Sequence, residues 1–94
     1  MKINGIREIS YQGKSIDVNL GVAFDDETMI RWNLVDPTVQ IVYTTQGQIE
    51  MDYMELIDQG LIVHSFELSE EEIKQINEYV NEHHIEDKIL KQLS

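Results

Sequence analysis

Three histidines, one neighbouring serine and several runs of carboxylates are the side chains in this 94-residue sequence that could do chemistry. Histidine titrates nearest neutrality, so it is the first candidate for acid–base work. His64 lies in the apolar run 61–67 beside Ser65, a general base next to a nucleophile. Adjacent positions of a strand point to opposite faces, so these two cannot form a nucleophile–base pair with each other. His83 and His84 sit among Glu82, Glu86 and Asp87, and His83 shares a helical face with Asp87, as metal ligands would. Adjacent histidines project about 100° apart on a helix, however, and the run matches no two-histidine zinc signature. A solvated helix end is the better reading. Asp25, Asp26 and Glu27 could hold a hard cation but lack the spacing of a calcium loop. All five glycines are isolated, which leaves no phosphate loop, and the absence of cysteine removes disulfides, thiolate zinc sites and cysteine nucleophiles. The expectation is a protein that is not an enzyme and has no catalytic residue, cofactor or metal.

The elements that must carry these side chains follow from the apolar period. Large apolar residues at Ile16, Val18, Leu20, Val22 and Phe24 alternate with small or polar ones, the pattern of a strand with one buried face. Gly21, on the other face, marks a bulge or a close backbone approach. Residues 6–11 form a weaker strand before it, joined by the turn Gln12-Gly13-Lys14. Residues 29–35 alternate as well, with Ile30, Trp32 and Leu34 on one face, and Asp36-Pro37 ends that strand. Residues 39–44 are rich in β-branched and aromatic types, and residues 49–53 read as a fifth strand. Residues 54–60 look like one or two helical turns closed by Gly60, and residues 61–67 return to strand character.

The period then changes. Ser69 with Glu72 makes a capping box, Leu68 and Ile73 a hydrophobic staple, and Glu70, Glu71 and Glu72 sit at the positive end of the helix dipole. Ile73, Ile76 and Val80 form the apolar stripe of a helix from about residue 70 to 83. Beyond His84, Ile85, Ile89 and Leu93 would fall opposite that stripe if the helix ran straight on. Either the chain breaks near residues 83–85 and a second short helix docks its own face, or Ile85, Ile89 and Leu93 pack against another copy in a homodimer. The break is favoured. The whole reads as one α+β domain over residues 1–94: an antiparallel meander of four to six strands, curled or open, with the helix packed on the sheet and a short terminal helix after a break. The expected core is Ile16, Val18, Leu20, Val22, Ile30, Trp32, Leu34, Ile41, Ile73, Ile76 and Val80.

Charge is the informative feature. Eighteen acids against seven Lys and Arg give a net charge of -11, which argues against binding to nucleic acid or an anionic membrane. The imbalance is local: residues 1–49 hold six acids and four bases, residues 50–94 twelve and three. Glu71, Glu78 and Glu82 fall within about 40° of one another opposite the apolar stripe. Such a row of carboxylates loosely imitates the phosphates of a nucleic-acid strand, which repeat about every 3.4 Å along the axis. In size and charge the chain is similar to phage and mobile-element inhibitors of host DNA-binding enzymes, anti-CRISPR proteins among them.

These features imply a small acidic binding protein, an inhibitor or DNA mimic that docks on a basic nucleic-acid-binding surface of a protein partner. Its expected determinants are Glu71, Glu78 and Glu82, with Asp52, Glu55 and Asp58, and a secondary patch at Asp25, Asp26 and Glu27. The alternative is a self-associating structural or regulatory module whose acidity serves solubility only. No run of 18 apolar residues and no signal-peptide core is present, so the expected location is the cytoplasm of a bacterial cell or phage-infected host.

Overall fold

A computed structural model describes residues 1–93. Five strands, β1 (Lys2–Tyr11), β2 (Ser15–Ala23), β3 (Pro37–Thr44), β4 (Glu50–Asp58) and β5 (Leu61–Ile62), are joined by a short helix α1 (Asp26–Arg31) and followed by α2 (Glu70–Glu82) and α3 (Ile85–Leu93). The sheet is an open antiparallel meander in the order β1-β2-β3-β4-β5. Period-2 alternation puts Ile16, Val18 and Leu20 of β2 opposite Tyr43, Ile41 and Val39 of β3, and all six are at most 1% exposed. On β4, Leu56 pairs with Val39 and extends that face. Ile76 and Val80 from α2, then Ile85 and Ile89 from α3, cover the same cluster.

Gly21 is a close approach. A Cβ there would stand 2.5 Å from Arg7 Nε, because the Arg7 side chain crosses the uncovered sheet face at this point. Its guanidinium grips Asp36 through two nitrogens and donates to Thr38 Oγ1 at 3.0 Å, and Thr38 is the cross-strand partner of Gly21. That grip holds the Asp36 carboxyl below its usual range.

The capping box forms in full: Ser69 Oγ accepts from Glu72 N–H at 3.1 Å, and Glu72 Oε1 accepts from Ser69 N–H at 2.8 Å. Ser69→Ala should therefore cost about 1 kcal/mol, visible as a lower urea midpoint at an unchanged slope. The break after α2 is real. His84 takes φ 50 and donates its N–H to Asn81 O at 3.2 Å, a left-handed helix end that re-aims the chain. The second helix then turns Ile85 and Ile89 inward, both at 0% exposure. These two residues therefore belong to the chain's own core and offer no surface to another copy.

Three segments differ from the sequence reading. Residues 29–35 are not a strand. Asp25 caps α1 by accepting from Thr28 N–H at 2.8 Å, and Glu27 pairs with Arg31 four residues on. Asn33, at φ 53, closes the helix: its N–H reaches Ile30 O and Leu34 N–H reaches Met29 O. That is a Schellman ending, with Leu34 and Met29 both drawn to the core. Trp32 is consequently half-buried, edge-on to Phe66 at 5.1 Å, and Ile30 is exposed rather than core. Residues 54–58 continue strand β4. Gln59 and Gly60 both take positive φ and make the two-residue turn of the β4–β5 hairpin, so Gly60 closes a turn and not a helix. The strand expected over 61–67 stops at Ile62, and Ser65 is in the left-handed region at φ 68. Ile73 lies at the flank of α2 and is part-exposed.

Candidate partner-binding surface

The histidines do not converge. The His83 ring stacks on Tyr79 with centroids 3.9 Å apart, and its Nδ1 lies 3.0 Å from Tyr79 O. His84 Nδ1 faces Asp87 at 3.6 Å, and His64 is exposed beyond β5. Among the described residues no three His, Asp or Glu side chains group as a metal site.

The acids divide into engaged and free. Asp25 is the cap of α1, and hydrogen bonds from Thr28 hold its carboxyl below the usual range. Glu27 is paired with Arg31 at 2.7 Å. Asp58 accepts from the backbone N–H groups of Asp36, at 2.7 Å, and Val35, at 3.2 Å, tying the end of β4 to the start of β3. These three do structural work at the sheet end. Among the described residues, Glu71, Glu78, Glu82, Asp52, Glu55 and Asp26 have no cation or hydrogen-bond donor on their carboxylates, and all but the half-buried Glu55 are exposed.

The free acids do not form one surface. Glu78 and Glu82 line a shallow cleft with Ile3, Gln75 and Tyr79, on the flank of α2 that meets β1. Gln75 reinforces that contact by donating to Met1 O. Glu55 lines a different cleft with Ile73 and Phe66, on the flank of α2 that meets β4. Helical spacing places Glu71 with Glu78 and Glu82. The result is one ridge of three carboxylates beside the β1 edge, with Glu55 in a separate cleft across the helix and Asp52 exposed on β4. Asp26 stands apart at α1.

Of two further apolar surfaces, the sequence reading singles out only Leu93 as a residue open to a partner. A groove of about 560 Å³ runs between the β3–β4 loop and α3, lined by Ile49, Leu90 and Leu93, with Glu86 as its one charged group among the described residues. At the opposite end of the sheet Ile30, Val35, Leu61 and Ile62 are exposed. The signal for the second lay in the hairpin turn Gln59-Gly60, which forces Leu61 and Ile62 to the sheet edge.

No family model matches the chain, and no curated protein or solved structure matches it either. No helix is long and apolar enough to cross a membrane among the described residues.

Proposed function

We propose that this chain is a small acidic binding protein, not an enzyme, that docks on a basic nucleic-acid-binding surface of a partner as an inhibitor or DNA mimic. The reading places it with the anti-defence proteins of phages and mobile elements, with a nuclease or CRISPR effector as the class of target. The observation that carries it is the ridge of Glu71, Glu78 and Glu82. All three are exposed without partners among the described residues, on a helix pinned from its other side by Ile76 and Val80. Pinning matters because it fixes the backbone that carries the carboxylates and so lowers the ordering cost of docking. Along α2 they are separated by about 10 and 6 Å, at 1.5 Å of rise per residue. A single nucleic-acid strand places one charge about every 3.4 Å. The ridge thus supplies roughly half the charge density of one strand.

Exchanging Glu71, Glu78 and Glu82 together for lysine changes the charge by six units without touching the buried stripe. The protein is immobilised, basic proteins are captured from a lysate, and those released by duplex DNA are taken as the partners. Parent binding to such a partner should weaken at least about tenfold between low and physiological salt, and the triple variant should bind at least about 100-fold more weakly. A triple variant that binds as tightly as the parent at low salt would overturn the proposal. Circular dichroism guards the result. The exchange at Glu71 replaces a favourable charge at the helix dipole with an unfavourable one, a cost of about 1 kcal/mol, so the fold should persist.

A further inference from the structure

The end of the sheet opposite the α3 groove carries four large aliphatic side chains in solvent: Ile30 at 79% exposure, Leu61 at 74%, Val35 at 64% and Ile62 at 46%. They come from adjoining segments. The Schellman ending of α1 folds residues 33–35 back beside Ile30, and the Val35 N–H reaches the Asp58 carboxylate at 3.2 Å. Asp58 is in turn the cross-strand partner of Leu61, and Ile57 that of Ile62. Leu61 and Ile62 leave their strand on opposite faces, so the apolar surface wraps the free edge of the sheet at β5. Together the four present on the order of 500 Å² of apolar side chain, as large as the largest patch on a typical monomer.

The charge at this end differs from that of the α2 ridge. Glu27 is paired with Arg31, Asp36 with Arg7, Asp25 caps α1, and Asp58 is held by two backbone N–H groups. Asp26 is the exception among these neighbours.

We propose that this end is a self-association face, occupied by the same end of a second copy across a two-fold axis. An isologous contact sets patch against patch, so each copy covers the other's exposed aliphatics. Two such surfaces bury at most about 1,000 Å², at or below the lower bound of a specific interface, which makes the dimer weak. A basic partner is the poorer occupant, because all but Asp26 of the carboxylates that would recognise it here are already bound within the chain. The net charge of -11 opposes pairing of two copies at long range. Added salt therefore strengthens this contact, whereas it weakens docking of the ridge on a cationic partner. The proposal goes beyond the reading of the ridge and does not depend on it.

Sedimentation equilibrium of the full chain tests it, from tens of micromolar to about 1 mM protein, in about 50 mM and about 500 mM salt. The average mass should rise above the monomer with concentration, and rise further at the higher salt. Leu61→Glu and Ile30→Glu, both at solvent-exposed positions, should each weaken association at least tenfold with unchanged circular dichroism. Leu93→Glu, at the other end, should leave association as in the parent. A monomer throughout the range at high salt would overturn the proposal. So would association that weakens with salt, or that survives Leu61→Glu and Ile30→Glu while failing in Leu93→Glu.

Discussion

Replacing Ile89 with alanine is expected to cost about 2–5 kcal/mol, the range for removing a buried aliphatic whose neighbours relax only in part. Ile89 is at 0% exposure in the last helix, packed in the cluster that holds Ile76, Val80 and Ile85 against β2 and β3. A domain of this size has a total stability of about 5–14 kcal/mol, so the substitution removes a large share of it. Leu93, one helical turn further on, is 51% exposed and supplies the contrast. Leu93→Ala should change stability by less than about 0.5 kcal/mol. Urea denaturation of the two variants checks the direction in which α3 is docked. Equal losses at both positions would mean that the terminal helix does not seat on the sheet as described.

Tyr43→Phe is expected to move stability the other way, upward by about 1–3 kcal/mol, the cost of a buried polar group left without a partner. The Tyr43 ring is fully buried between Ile16 and Met51, its cross-strand neighbours, and its hydroxyl has no hydrogen-bond partner among the described residues. Burial, with a smaller contribution from the charge of Glu86, pushes its phenol up from about 10 to about 12. The folded state therefore keeps a proton that the unfolded chain releases at about pH 10. This contribution is fully present below pH 10 and is lost as pH rises from about 10 to about 12. At 1.36 kcal/mol per pH unit the loss amounts to about 3 kcal/mol at most. Denaturation of parent and variant at neutral pH and again near pH 11 isolates the effect, because the lysines that also titrate there are common to both. The gap should widen at the alkaline end in favour of Tyr43→Phe. A variant less stable than the parent at neutral pH would show that the hydroxyl is satisfied in solution.

The meander and its covering helices were legible where a local rule and the tertiary environment agreed. The alternation from Ile16 to Val22 survives because every inward residue meets the same core, and the capping box at Ser69 is closed within four residues of chain. Residues 29–35 failed because a six-residue helix is too short to show a 3.6 period, and Ile30, Trp32 and Leu34 happen to alternate. The usable signals there were Asp25 three residues before Thr28 and Glu27 four before Arg31. Gly60 failed for a different reason: positive φ serves a hairpin turn as well as a helix end, and sequence spacing does not choose between them. The acids could be counted but not sorted. Whether Asp58 is free depends on Val35 and Asp36, more than twenty residues away, and the separation of Glu55 from Glu78 depends on how α2 lies across the sheet.

The strand order has a consequence for how the chain comes to be folded. Every strand pairs with its neighbour in sequence, so the sheet can zip together hairpin by hairpin without waiting for distant segments. The residues that cover its apolar face, Ile76, Val80, Ile85 and Ile89, all follow β5 in the chain. During synthesis at about 5–20 residues per second, the formed sheet stands uncovered for on the order of seconds. Its two edges are unpaired over that interval, and residues 1–62, with ten acids and four bases, carry a net charge of -6 that opposes contact between nascent copies only in part. The remaining net charge of -5, eight acids against three bases, arrives with residues 63–94, which hold the covering helices. For this protein the species most prone to aggregation is the N-terminal sheet before α2 and α3 have been made.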